Sequence, residues 1–152
     1  MLAVKSPTLV LDLEICKRNI QAMAAKSRRH NIFFRPHFKT HQSAAVAEWF
    51  REQGITAVTV SSVSMATYFA DHGWNDITIA FPANLPEAED INRLAERISL
   101  NLLIESEETA QYFADNLTSG CGFFIKIDTG YHRSGIDPAH LPMIDLVLKA
   151  AT

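Results

Sequence analysis

A chain of 152 residues with 47% hydrophobic side chains is long enough to bury a core and fits a single domain, 1–152. Its formal net charge of -3 gives no general attraction to nucleic acid or to an anionic membrane, so neither is expected as a partner. Cys16 and Cys121 match no zinc or redox spacing, no apolar run approaches membrane-spanning length, and Met1 to Val4 is too short for a signal peptide, so a cytoplasmic protein with reduced thiols is expected.

Pro7 to Leu11 reads as a short strand, ended by Asp12, a good N-cap for a helix over Leu13 to Arg29. Leu13, Cys16, Ile20 and Met23 fall at three- and four-residue steps and predict its apolar stripe, while Lys26, Arg28 and Arg29 complement the dipole in its last turns. Asn31 to His41 predicts a strand, and Ser43 to Gln53 a helix closed by Gly54. A β-branched strand over Ile55 to Val60 precedes a helix from Ser62 to His72 that stops at Gly73. Asp76 to Phe81 is the next strand, after which Pro86, Glu87 and Glu89 open a helix. Ile98 to Ile104 predicts a strand, and Ser106 caps a helix that turns Ala110 and Phe113 inward. Phe123 to Asp128 is the last strand, and Asp137-Pro138 opens a helix still running at Ala151-Thr152.

Strand starts near 32, 55, 77, 98 and 122, each followed by a helix, predict an α/β fold with parallel pairing and right-handed crossovers. An open doubly wound sheet and part of an eight-stranded barrel both fit that spacing. No Gly-x-Gly-x-x-Gly and no P-loop follows any strand, which weakens a nucleotide-binding open sheet.

Two stretches carry the chemistry. In Arg35-Pro36-His37-Phe38-Lys39-Thr40-His41, strand alternation puts Arg35, His37, Lys39 and His41 on one face and Phe34, Pro36 and Phe38 on the other. A basic, solvated edge strand is one reading. The other is a strand buried on both sides, where desolvation and neighbouring cations lower the lysine pKa and make it an amine nucleophile. His37 and His41 could also be taken for a metal pair, but no third ligand lies nearby and Arg35 and Lys39 would repel the ion, so no metal site is expected. In the second stretch, Lys126 to Gly135, Phe124, Lys126 and Asp128 share a strand face and lead into a Gly-flanked loop, where barrel enzymes place their active sites. A structural Lys and Asp pair followed by a turn is the plainer alternative. Ser61 and Ser62 would face the same mouth, although capping accounts for Ser62 equally well, and His30, His72 and His140 read as surface residues.

Arg-Pro-His-x-Lys-Thr-His resembles the segment around the pyridoxal-phosphate lysine of the D-threonine aldolase and D-serine dehydratase family, relatives of alanine racemase. Position 42 is Gln here where that family often has a second Lys. The second stretch is similar to the Lys-x-Asp-x-Gly-x-x-Arg-x-Gly signature of alanine racemase relatives. The resemblance covers nearly the whole chain and favours the barrel: a partial (β/α) TIM barrel of the alanine racemase N-terminal type with about five parallel strands. It implies pyridoxal 5'-phosphate held by Lys39 through a Schiff base, with His37 and Arg133 also binding it and Arg133 donating to its phenolic oxygen. Arg35, His41, Lys126 and Asp128 would support the site. The implied activity is a lyase acting on a small D-amino acid, with a racemase or a non-catalytic cofactor carrier on the same barrel, or an inert fragment, as alternatives. Members of the family continue through further barrel strands and a β-rich C-terminal domain that binds any divalent metal. The chain is therefore expected to be the N-terminal part of such an enzyme, inactive alone, with its opening strand unpartnered and its exposed sheet edges closed in a homodimer.

Overall fold

The computed structural model describes residues 6–8 and 10–151. Helix α1 (Leu13–Arg29) starts at Asp12, whose carboxylate accepts the Ile15 amide at 2.9 Å. After it come an extended segment, a 3-10 turn over Phe38–Thr40 and helix α2 (Ala44–Arg51), capped by Ser43. Four strand–helix units then follow: β1 (Val58–Val60) with α3 (Val63–Asp71), β2 (Asp76–Pro82) with α4 (Ala88–Ala95), β3 (Ser99–Ile104) with α5 (Glu107–Asn116), and β4 (Gly122–Ile125) with α6 (Leu141–Ala150). Ser62 and Ser106 cap α3 and α5 through their hydroxyls, as the sequence predicts. No described helix is long and apolar enough to cross a membrane.

The four strands pair in parallel in the order β1-β2-β3-β4. Sequential order without a reversal leaves no topological switch point, so the doubly wound alternative is excluded and the sheet is an arc of a barrel wall. Alternation along the strands gives the arc two different faces. Val58, Val60, Ile77, Ile79, Leu100 and Leu102 are buried in one core with Ala66, Phe69, Ile91 and Leu94 from the helices. Thr59, Thr78, Asn101 and Phe124 lie on the other, inner face. A second cluster gathers Ile104, Ala110, Ile136 and Val147 under α6.

Several elements differ from expectation. The segment expected to be the first strand joins β1 by a single bridge, His37 to Thr59, with the Thr59 amide on the Pro36 carbonyl at 2.8 Å. Pro36 offers no N–H to extend a ladder, and the chain turns at Phe38. Among the described residues the sheet therefore has four strands rather than five. The opening strand is absent at residues 7, 8, 10 and 11, which make no ladder, and Leu9 lies outside the described residues. On α1 the inward face is Cys16, Ile20, Ala24 and Ser27, while Leu13 and Met23 are exposed. Finally, Asp137 makes a turn, accepting the Ala139 amide at 2.8 Å, and α6 begins only at Leu141.

Phe38 is fully buried, its ring centroid 4.9 Å from Phe69 and 5.2 Å from both Phe50 and Trp74. Phe38→Ala is expected to cost about 3–5 kcal/mol, read as a lowered denaturant midpoint. A fall below about 1 kcal/mol would show that the cluster closes over the gap.

Candidate active site

Lys39 and the Lys126 to Gly135 loop lie at the C-terminal rim of the sheet arc, the end where barrel enzymes work. Phe38 points into the helices, as strand alternation predicts, and the alternation ends in the 3-10 turn over Phe38–Thr40. Lys39 is exposed, not buried between helices, because the inner face it continues is uncovered among the described residues. His37 Nδ1 accepts the Lys39 amide at 3.3 Å, which puts the ring beside the lysine. Burial first and the Lys39 charge second push the His37 pKa down. Gln42 closes the turn with φ 49°, a left-handed conformation uncommon for a residue with a side chain, and its amide bonds the Phe38 carbonyl at 2.9 Å.

His41 and Arg35 leave the face expected of them. The His41 ring stacks on Phe50 at 5.9 Å and packs against Phe38 at 4.7 Å, while its Nδ1 accepts the Ser43 amide at 3.1 Å. It is a part of the aromatic core, and burial lowers its pKa. Arg35 lies on the inner face but at the opposite end of the sheet, paired with Asp76 at 2.7 Å.

The second stretch folds back on its own strand. The Ile136 amide bonds the Lys126 carbonyl at 2.8 Å, and the Asp128 amide bonds the Ile136 carbonyl at 2.9 Å. Gly135 makes this return possible: its φ is 113°, and a Cβ there would lie 2.7 Å from the Asp128 nitrogen. Asp128 Oδ1 accepts the amides of Gly130, Tyr131 and His132 at 2.9–3.0 Å, and these bonds, that of His132 foremost, hold its carboxyl below the usual range. Lys126 donates to the Ser134 hydroxyl. Lys126 and Asp128 thus each fasten the loop instead of pairing with one another. Arg133 is exposed and lies over the Tyr131 ring at 5.3 Å.

Arg133, Ser134 and Gly135 share a cavity of about 440 Å³ with Glu105, Ser106 and Thr109. Glu105 Oε2 is buried with no hydrogen-bond partner among the described residues. Sequence reasoning missed this acid, although its place directly after β3 was a signal. It also missed Asp76, which nothing in the local sequence distinguishes from an ordinary strand-opening residue. Ser61 and Ser62 line a smaller rim cavity of about 180 Å³, but Ser62 is occupied by its cap. His30, His72 and His140 are exposed at helix ends. No cluster of three or more metal-ligating side chains occurs among the described residues.

Comparison with known proteins follows the same outline. Residues 11–151 match the family described as alanine racemase, N-terminal domain. D-threo-3-hydroxyaspartate dehydratase of Delftia sp. (strain HT23) is 33% identical over 150 residues, which cover 95% of this chain and 39% of that enzyme. Its solved structure superposes with a TM-score of 0.90 at 29% identity, covering 98% of this chain and 40% of that one. D-serine dehydratase of Dictyostelium discoideum is 28% identical over 152 residues, covering 91% of this chain and 38% of its own. The D-threonine aldolase structure from Filomicrobium marinum gives a TM-score of 0.83 at 26% identity, covering 89% of this chain and 38% of that one. The chain thus spans about two-fifths of the length of these relatives.

The two lowered histidines set a pH dependence. The fold shifts each toward its neutral form, so the unfolded chain binds more protons as pH falls through the ordinary value of 6.5. Their contribution to stability is complete above that value and is lost below it. Denaturant midpoints measured from about pH 7.5 to 5 should therefore fall, and His41→Phe, which keeps a packed ring without a titrating group, should flatten the slope. An unchanged slope would remove His41 from the account.

Proposed function

The chain belongs to the alanine racemase N-terminal domain family, and from that premise we propose that it is the cofactor-bearing part of a pyridoxal-phosphate-dependent lyase acting on D-β-hydroxy-α-amino acids. The observation that carries the reading is the exposed Lys39 amine on a turn pinned by Phe38, at the same rim as an exposed guanidinium, Arg133. The names of the relatives supply the substrate class. D-threo-3-hydroxyaspartate, D-serine and D-threonine share the D configuration and a β-hydroxyl. Loss of that hydroxyl and cleavage of the Cα–Cβ bond are both represented among them, so the reading stops at lyase.

The donor set suits the cofactor. Lys39 carries a primary amine free to bond an aldehyde, and no carboxylate among the described residues pairs with Arg133. When bound, pyridoxal phosphate supplies an electron sink for the charge left at the α-carbon as a bond to it breaks. Lys39 would hold it covalently. His37, kept neutral by burial and by the neighbouring lysine, adds no competing cation beside that amine. Arg133 would bind the phenolic oxygen with a fork that stays charged at every working pH. Lys126, Asp128 and Gly135 hold the loop that presents it. Arg35 and His41 do not touch the cofactor in this reading: one fastens the segment below Lys39, the other fills the core behind it. The substrate is a small D-amino acid, the setting cytoplasmic, and the assembly a homodimer that covers apolar residues such as Ile32 and Phe33, both exposed beside the first segment.

With pyridoxal phosphate and borohydride, label mapped by mass spectrometry should fall on Lys39 and vanish in Lys39→Ala, whose stability should stay within about 0.5 kcal/mol of the parent because the residue is exposed. Label on Lys126 instead would overturn the assignment. Arg133→Lys should weaken cofactor binding by roughly tenfold or more, since lysine keeps the charge and loses the planar fork. Equal affinity would return Arg133 to the loop surface. Light scattering of the chain tests the dimer, and a monomer at high concentration would rule it out.

A further inference from the structure

A polar row crosses the inner face of the sheet at its N-terminal end. Arg35 donates Nη1 to Asp76 Oδ1 at 2.7 Å and Nη2 to Asp76 Oδ2 at 3.1 Å. The same Nη1 reaches the Val58 and Asp76 carbonyls at 3.4 Å. The two side chains are 20% and 33% exposed, so the pair is largely shielded. On β3, Asn101 Nδ2 stands 3.5 Å from Asp76 Oδ1. On β4, Gly122 leaves the space that Asn101 fills, for a Cβ there would meet Asn101 Oδ1 at 2.2 Å. One row of groups therefore ties the lysine-bearing segment to β1, β2 and β3, with Gly122 of β4 leaving room for it.

That tie matters because the backbone gives the segment so little. Among the described residues its one bridge to β1 is at His37, where the Thr59 amide bonds the Pro36 carbonyl. A slip of two residues would keep every side chain on its face and move Lys39 by ~6.6 Å along the barrel wall. Phe38 anchors the opposite face by apolar contact, which is not directional. The Arg35 fork is directional: two parallel bonds to one carboxylate are satisfied at one register only. We infer that Asp76 is a positioning residue for Lys39, acting through Arg35 to fix the register of the segment from which the lysine emerges. This rests on the reading that Lys39 holds the cofactor, but the clamp itself can be observed without it.

The test uses residue-resolved hydrogen exchange on the 152-residue chain, comparing the parent with Asp76→Asn and the milder Arg35→Lys. Exchange at the amides of Thr59, His41 and Gln42 is expected to rise roughly tenfold, the loss of one charge-assisted bond, while amides between β3 and β4 keep their protection. Val147→Ala, a truncation in the second core cluster, supplies a variant of lowered stability that should leave this local pattern unchanged. In the same variants, pyridoxal phosphate trapped with borohydride should place a share of label on Lys39 that is roughly tenfold smaller, relative to other lysines. Exchange and label distribution like those of the parent in both variants, or the same local pattern in Val147→Ala, would overturn the inference and leave Phe38 as the anchor. Faster local exchange combined with no Lys39 label even in the parent would instead overturn the proposed function and leave the clamp standing.

Discussion

Phe38 is surrounded by the rings of Phe50, Phe69, Trp74 and His41, and the position of the candidate site follows from that burial. A side chain of this size contributes on the order of 2–3 kcal/mol by leaving water, more than one backbone bond of an edge ladder. After His37 the chain leaves strand geometry and winds into a 3-10 turn with the Phe38 ring held inward. Lys39, the next residue, is carried out to the rim by the same turn. Gln42 then adopts a left-handed conformation to redirect the chain into α2. Strain at that position is tolerated because the aromatic cluster and the Ser43 cap fix the chain on either side of it.

The arc of sheet divides its chemistry by face. Its outer face is apolar and covered by helices, which makes the elements mutually stabilising without any need for specific partners. Its inner face carries an ion pair at one end and an amine and a guanidinium at the other, while the buried Thr78 hydroxyl in the middle has no hydrogen-bond partner among the described residues. Fixed geometry there comes from groups that bond at one distance and one angle. Asp128 illustrates the principle in the loop, where a single carboxylate oxygen gathers three consecutive-turn amides and so spares the Gly130 to Gly135 segment from needing a core of its own.

Most of the fold was legible because the relevant signals are local. Ser43, Ser62 and Ser106 cap where capping residues precede apolar periodicity, and Gly54 and Gly73 take positive φ where helices stop. Strand order was not legible, since spacing is the same for a barrel and an open sheet. The candidate site was readable as a motif resemblance, and its geometry was not. Alternation placed Arg35, His37, Lys39 and His41 together; it held through the buried Phe38 and failed beyond it at His41, because the pull of an aromatic cluster assembled from α2, α3 and the chain before β2 is invisible in a local window. The Arg35 partner was unreadable for a related reason: Asp76 is 41 residues away, and only the parallel crossover brings it alongside.

The exposure of Lys39 changes the argument about how such an amine is made useful. Burial in a double-sided sheet would have tuned the nitrogen through the protein alone. On a rim uncovered among the described residues the protein's contribution is placement instead: a turn fixed by Phe38, a neighbouring imidazole whose pKa is lowered, and a loop that presents the Arg133 guanidinium. Placement of this kind is a matter of where segments sit, not of which residues fill the core. That is consistent with superposition at a TM-score of 0.90 on a relative only 29% identical, since cores accept many apolar combinations while a rim turn accepts few. The physical burden of the site therefore falls on the few directional contacts of the inner face, which is why an aspartate at the far end of the sheet bears on a lysine at the rim.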